Sequence, residues 1–245
     1  MNRILQDFFQ GAYSKLEADL VSNWAVDREQ LTGFSDIVKG IAKRQLSLSC
    51  AATVSGLRSQ RNEYAWGLIE ASYLSMVVAV KGMENCACSL LRQTIELTLK
   101  HVYFATHPVE YGWALTRESY KALNFQGLLE YVKSTDEYRE FSQCGESNLS
   151  EVIEERFAVL SRHVHVQNKR FMSYRKMRTE QKVDEVLLRR VSGLTASLWP
   201  SLTAMLVIFF PDRFERAHEI EKKLIRNTFS HQVKQTLAGY LRRRS

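Results

Sequence analysis

Apolar residues recur at helical spacing through most of this chain, and nowhere do they alternate as in a strand. The densest run covers residues 89–108, where Leu90, Leu91, Ile95, Leu97, Leu99, Val102 and Phe104 leave little polar surface. A helix so apolar belongs at the centre of a bundle. Arg92 and Glu96 interrupt it four residues apart, a spacing that stacks them on one face where they can pair. Pro108 stops this helix. Upstream, residues 63–81 predict a second strong helix, Gly82 suits its C-terminus, and a helix over 84–106 returns beside it as an αα-hairpin. Further helices are expected over 3–21, 28–57, 150–165, 179–210 and 213–241. Gly33, Gly40 and Gly56 weaken the second of the five. Pro200 is expected to kink the long one, and Pro211 with Asp212 to end it. Residues 109–147 are less regular, with a short helix near 124–134 and polar turns around 134–135 and 145–147. Asp27 is a candidate N-cap, residues 59–62 read as a turn, and Ser150 followed by Glu151 and Glu154 reads as a helix start. No internal repeat or low-complexity tract is present. The expectation is an all-α fold of about seven to nine helices in one domain over 1–245, the helices of 1–60 packing on a bundle formed by 61–245.

Composition agrees with that reading. Apolar residues make up 45% and charged residues 25%, and only 3 prolines and 11 glycines punctuate 245 residues, which favours long helices over many short strands. A chain of this length buries a sizeable core without disulfides. The cysteines at 50, 86, 88 and 144 have neither zinc-knuckle nor redox spacing and are expected to be reduced, mostly buried thiols of a cytoplasmic protein. The N-terminus reads as an amphipathic helix containing acids rather than a signal peptide. Residues 191–211 carry no charge and approach the length of a membrane span, but serines, threonines and Pro200 interrupt them, so a buried helix is expected and no membrane partner.

The net charge of +7 is unevenly spread. Lys169, Arg170, Arg175, Lys176 and Arg178 cluster in ten residues, and Arg242, Arg243 and Arg244 lie near the end. This suits an anionic partner, most simply RNA or DNA; the alternative is a solvated surface with a basic tail. In residues 167–178 the cations interleave with Phe171 and Tyr174. Cations hold phosphates and aromatic rings stack on unpaired bases, a composition suited to single-stranded RNA.

Several enzyme classes are absent from the sequence. It has no glycine-rich phosphate loop, no GxSxG turn and no HExxH motif. The best chemical lead is Arg226-Asn227-Thr228-Phe229-Ser230-His231. RNA cleavage without a metal needs a base for the 2′-hydroxyl proton and a cation for the charge growing on the phosphate. A histidine and an arginine supply these, and Asn227 can orient either. Two other arginine–histidine pairs have similar spacing, Arg156 with His163 and Arg213 with His218, but only Arg226 is followed directly by Asn.

This six-residue run resembles the signature of HEPN domains, small helical domains of prokaryotic toxin–antitoxin, phage-defence and CRISPR systems. The resemblance implies a HEPN-like bundle, metal-independent ribonuclease activity, no cofactor, and a homodimer in which two motifs face each other, with an antitoxin or defence-complex partner. A second stretch, covering roughly residues 85–170, resembles uncharacterised helical proteins of abortive-infection type. It implies an alternative set in which Arg92, Glu96, Ser161 and His165 converge in one polar site. The rival to both is a non-catalytic helical subunit that holds nucleic acid or a partner protein through its basic surface, and a third class is a membrane-acting effector built on residues 191–211.

Overall fold

The computed structural model describes residues 3–23, 28–56, 63–117, 121, 123–145, 148–164 and 185–244, and every regular element among them is a helix. The helices are α1 (Arg3–Ser22), α2 (Arg28–Gly33), α3 (Ser35–Gly56), α4 (Glu63–Val80), α5 (Glu84–Thr106), α6 (Pro108–Thr116), α7 (Phe125–Ser134), α8 (Asp136–Gln143), α9 (Leu149–Val164), α10 (Glu185–Phe209), α11 (Pro211–Glu215), α12 (Glu219–Arg226) and α13 (His231–Arg244).

The α4–α5 hairpin forms at the expected place. Gly82 has φ 75°, the left-handed conformation that glycine adopts without cost. Its amide donates to the Ala79 carbonyl at 3.0 Å and that of Met83 to Val78 at 2.9 Å, the paired bonds of a Schellman cap. The returning helix α5 packs along α4 and also touches α7, α9 and α10. The second centre is α10, which packs against α3, α9, α5, α4 and α8. Fifteen of its side chains are buried, Trp199 completely. It is long and apolar enough to cross a membrane, yet 72% of its most apolar window lies inside the bundle. Pro200 sits within the helix; it lacks the N–H that would bond the carbonyl four residues back, that of the exposed Ala196.

Four expectations are corrected. The described residues hold thirteen helices, more than the seven to nine expected, because two long predictions break and residues 109–147 are more regular than their pattern suggests. Residues 28–57 divide at Phe34, where Gly33 ends α2 and the Phe34 amide donates to Leu31 in a tighter turn. Residues 213–241 divide twice. His218 caps α12, its Nδ1 accepting from the Ile220 amide at 3.3 Å while Glu221 accepts from the His218 amide at 2.8 Å. After α12, buried Phe229 and the Thr228 hydroxyl, bonded to the Ile225 carbonyl and to Ser47 of α3, hold a turn before α13. Ser150 does not cap α9, which begins at Leu149; Ser150 is buried and its amide donates to the Tyr138 hydroxyl at 3.2 Å. The short helix near 124–134 is α7, capped by Asn124, whose side chain accepts from Gly127 at 2.9 Å. Asp27 and the turn over 59–62 lie outside the described residues.

Candidate nucleic-acid interface

Arg226 is the last residue of α12, Asn227 its C-cap, and His231 the first residue of α13. The motif therefore brackets a turn instead of lying along one helix. All three side chains are exposed. The Arg226 guanidinium rests over the Phe214 ring, 5.4 Å from its centroid, a cation–π contact that restricts its swing. The Ser230 hydroxyl accepts from the Val233 amide at 3.3 Å, which satisfies one of the open donors at the start of α13. Beneath the turn, Ile225 and Phe229 are core residues, so the buried side anchors what the exposed side presents.

The two similarly spaced pairs have structural roles. Arg156 donates to the Ser197 hydroxyl at 3.1 Å and fastens α9 to α10. His163 is buried, with Nδ1 3.8 Å from Glu84, which also pairs with Arg190 of α10. Burial lowers the His163 pKa, Glu84 opposes this, and the charges of Arg190 and Arg162 add to the lowering. His218 is the α12 cap described above.

Arg92 and Glu96 pair as their spacing requires, Nε to Oε1 at 3.2 Å. They divide an open groove. On one side lies a cavity of about 360 Å³ lined by Ser89, Arg92, Gln93, Glu96, Leu97, Lys100 and Val164. On the other lies one of about 480 Å³ that shares Arg92, Glu96 and Lys100 and adds Asn124, Phe125, Gln126 and Phe157. Phe125 of α7 and Phe157 of α9 stack at 3.6 Å between centroids, and the Arg92 guanidinium lies 4.9 Å from the Phe157 centroid. Lys100, Asn124, Phe125 and Phe157 were not singled out from the sequence. The signal for Lys100 was present, since 92, 96 and 100 continue one four-residue stride. The phenylalanines come from distant positions and only the fold brings them together.

Ser161 lies on α9 with its hydroxyl buried and without a hydrogen-bond partner among the described residues; it lines neither cavity. His165 lies outside the described residues, as do Lys169, Arg170, Phe171, Tyr174, Arg175, Lys176 and Arg178. The last described residue before them, Val164, borders the smaller cavity.

Of the cysteines, Cys88 is buried, Cys50 and Cys144 are half-buried and Cys86 is exposed; all four are free thiols. Burial pushes the Cys50 and Cys88 thiols up to about 12, which removes them as nucleophiles near neutrality. The chain matches no known family model, no curated protein and no solved structure.

Proposed function

We propose that this chain is a HEPN-like RNA-cleaving effector of a prokaryotic defence or toxin–antitoxin system, acting in the cytoplasm without a metal. The observation that carries the reading is the grouping of Arg226, Asn227 and His231 around one exposed, core-anchored turn at the start of the last helix. On this reading the His231 imidazole takes the 2′-hydroxyl proton of a bound ribose. The 2′-oxygen attacks the adjacent phosphorus and the bond to the 5′-oxygen breaks. A 2′,3′-cyclic phosphate and a 5′-hydroxyl result, the latter protonated by water or by the histidine of a second copy. Arg226 neutralises the charge that grows on the phosphate oxygens, with its plane steadied by Phe214. Asn227 orients the imidazole or the phosphate. A surface turn has no opposing wall, and a second copy of the chain, set face to face, supplies one.

The test is cleavage of labelled RNA by the purified chain in the presence of a chelator. Wild type is expected to cleave, and His231→Ala to lose on the order of 10²-fold or more in rate. Because His231 is exposed, the melting temperature should stay within about 2 °C. Cleavage by the folded variant at the wild-type rate would overturn the assignment.

One observation favours the second reading, a non-catalytic subunit that holds nucleic acid. Neither Arg226 nor His231 lines either cavity described above. That subunit would bind RNA with a steep salt dependence without cutting it, and would weaken when Lys169, Arg170, Arg175, Lys176 and Arg178 are neutralised.

A further inference from the structure

The polar face of α5 has a second use. The helix packs against α4, α7, α9 and α10 and keeps one face open. On that face Ser89, Arg92, Gln93, Glu96 and Lys100 fall in one helical stripe, each three or four residues from another of the set, and the stripe is the floor of the groove. Two open cavities of about 360 and 480 Å³ lie along it, within the size range of ligand sites.

The chemistry of the groove narrows the ligand. Two cations flank one carboxylate. Arg92 is held to Glu96 and braced on Phe157. Lys100 makes no ion pair among the described residues. The amino end of α7, with Asn124, Phe125 and Gln126 on the cavity wall, adds the partial positive charge of a helix start. Arg92 and Lys100 are eight residues apart, about 12 Å along the helix, with Glu96 midway. A single small anion fills one end only, whereas a chain of phosphates spans both. Glu96, paired with Arg92, places a carboxylate at the midpoint, which disfavours a phosphate there and favours a hydrogen-bond donor between the phosphates. A ribose 2′-hydroxyl is such a donor, and deoxyribose lacks it.

We propose that the α5 groove binds single-stranded RNA, with Arg92 and Lys100 taking backbone phosphates and Glu96 accepting a hydrogen bond from a 2′-hydroxyl between them. The proposal rests on RNA as the ligand but uses none of the residues assigned to cleavage.

The test is fluorescence anisotropy of the full chain with a short labelled single strand, as RNA and as the DNA of the same sequence. The RNA should bind more tightly. Lys100→Gln, which removes the charge without setting a second carboxylate beside Glu96, should weaken RNA binding roughly tenfold, and Lys100→Glu more. Glu96→Ala should shrink the difference between RNA and DNA. Arg139→Glu is the charge-matched control, since Arg139 is exposed on α8 and pairs with Asp136 at 3.7 Å. Equal losses from Lys100→Glu and Arg139→Glu would overturn the proposal, as would DNA binding as tightly as RNA, or displacement of the RNA by polyglutamate at equal charge concentration. The two readings fail separately. Loss of binding in Lys100→Gln together with a wild type that never cleaves would support the groove and sink the ribonuclease. Cleavage abolished by His231→Ala, with binding untouched in Lys100→Gln, would do the reverse.

Discussion

A histidine in a helical chain is a surface group, a cap or a core residue according to its surroundings, and here one sequence holds all three situations. His231 is exposed, His218 caps α12, and His101 is buried. His101 Nε2 lies 3.1 Å from the Ser55 hydroxyl and its ring stacks on Phe210 at 5.0 Å. Arg213, which donates to the Ser55 carbonyl, stands beside it. Burial first, and the Arg213 charge second, hold the His101 pKa down to about 4. The folded value is below the unfolded one, so the sign is fixed. Above pH 6.5 both states are neutral and stability is complete. Between pH 6.5 and 4 the unfolded chain takes up a proton that the folded chain refuses, and up to roughly 3 kcal/mol is lost as pH falls. His101→Gln offers Ser55 a hydrogen-bonding partner and does not titrate. Its urea midpoint should fall less between pH 7 and pH 4.5 than that of wild type. Equal falls would mean that other groups, His163 among them, carry the acid sensitivity. None of this is readable from the six positions of histidine in the sequence, because the spacing of Arg213 and His218 or of Arg156 and His163 looks as promising as that of Arg226 and His231.

Helices were legible where local chemistry and burial agree. The α4–α5 hairpin is the clearest case, since its apolar runs, Gly82 and the short connection all point to one geometry. Gly82→Ala forces a β-carbon into the left-handed region and should cost about 1–2 kcal/mol, seen as a fall in melting temperature of several degrees. An unchanged melting temperature would mean that the cap carries no stability. The short helix near 124–134 was also legible, although its cap, Asn124, was not singled out. Gly33 marked the weak point where residues 28–57 divide, but the break at residues 227–230 was not legible. It exists because Thr228 reaches Ser47 of α3 and Phe229 reaches the common core, and periodicity within one segment carries no record of such partners. Ser150 failed for the same reason, its backbone being claimed by Tyr138.

Across the molecule, α10 integrates the bundle. It touches α3, α4, α5, α8, α9, α11 and α13, so damage at its centre is felt widely. Trp199 is fully buried there. Trp199→Ala should cost about 3–5 kcal/mol and lower the melting temperature by on the order of 10 °C; a loss like that of a surface substitution would contradict the packing. Helical class, the central apolar helices and the pairing of Arg92 with Glu96 follow from the order of residues alone, because they depend on periods of three and four and on turn chemistry a few residues long. The groove along α5 does not, since Phe125 and Phe157 arrive there on other helices. Nor does the exposure of Arg226 and His231 on opposite sides of a turn. Which face of a helix meets solvent, and which distant side chain stands opposite, is settled only when the bundle closes and every apolar surface competes for the same core.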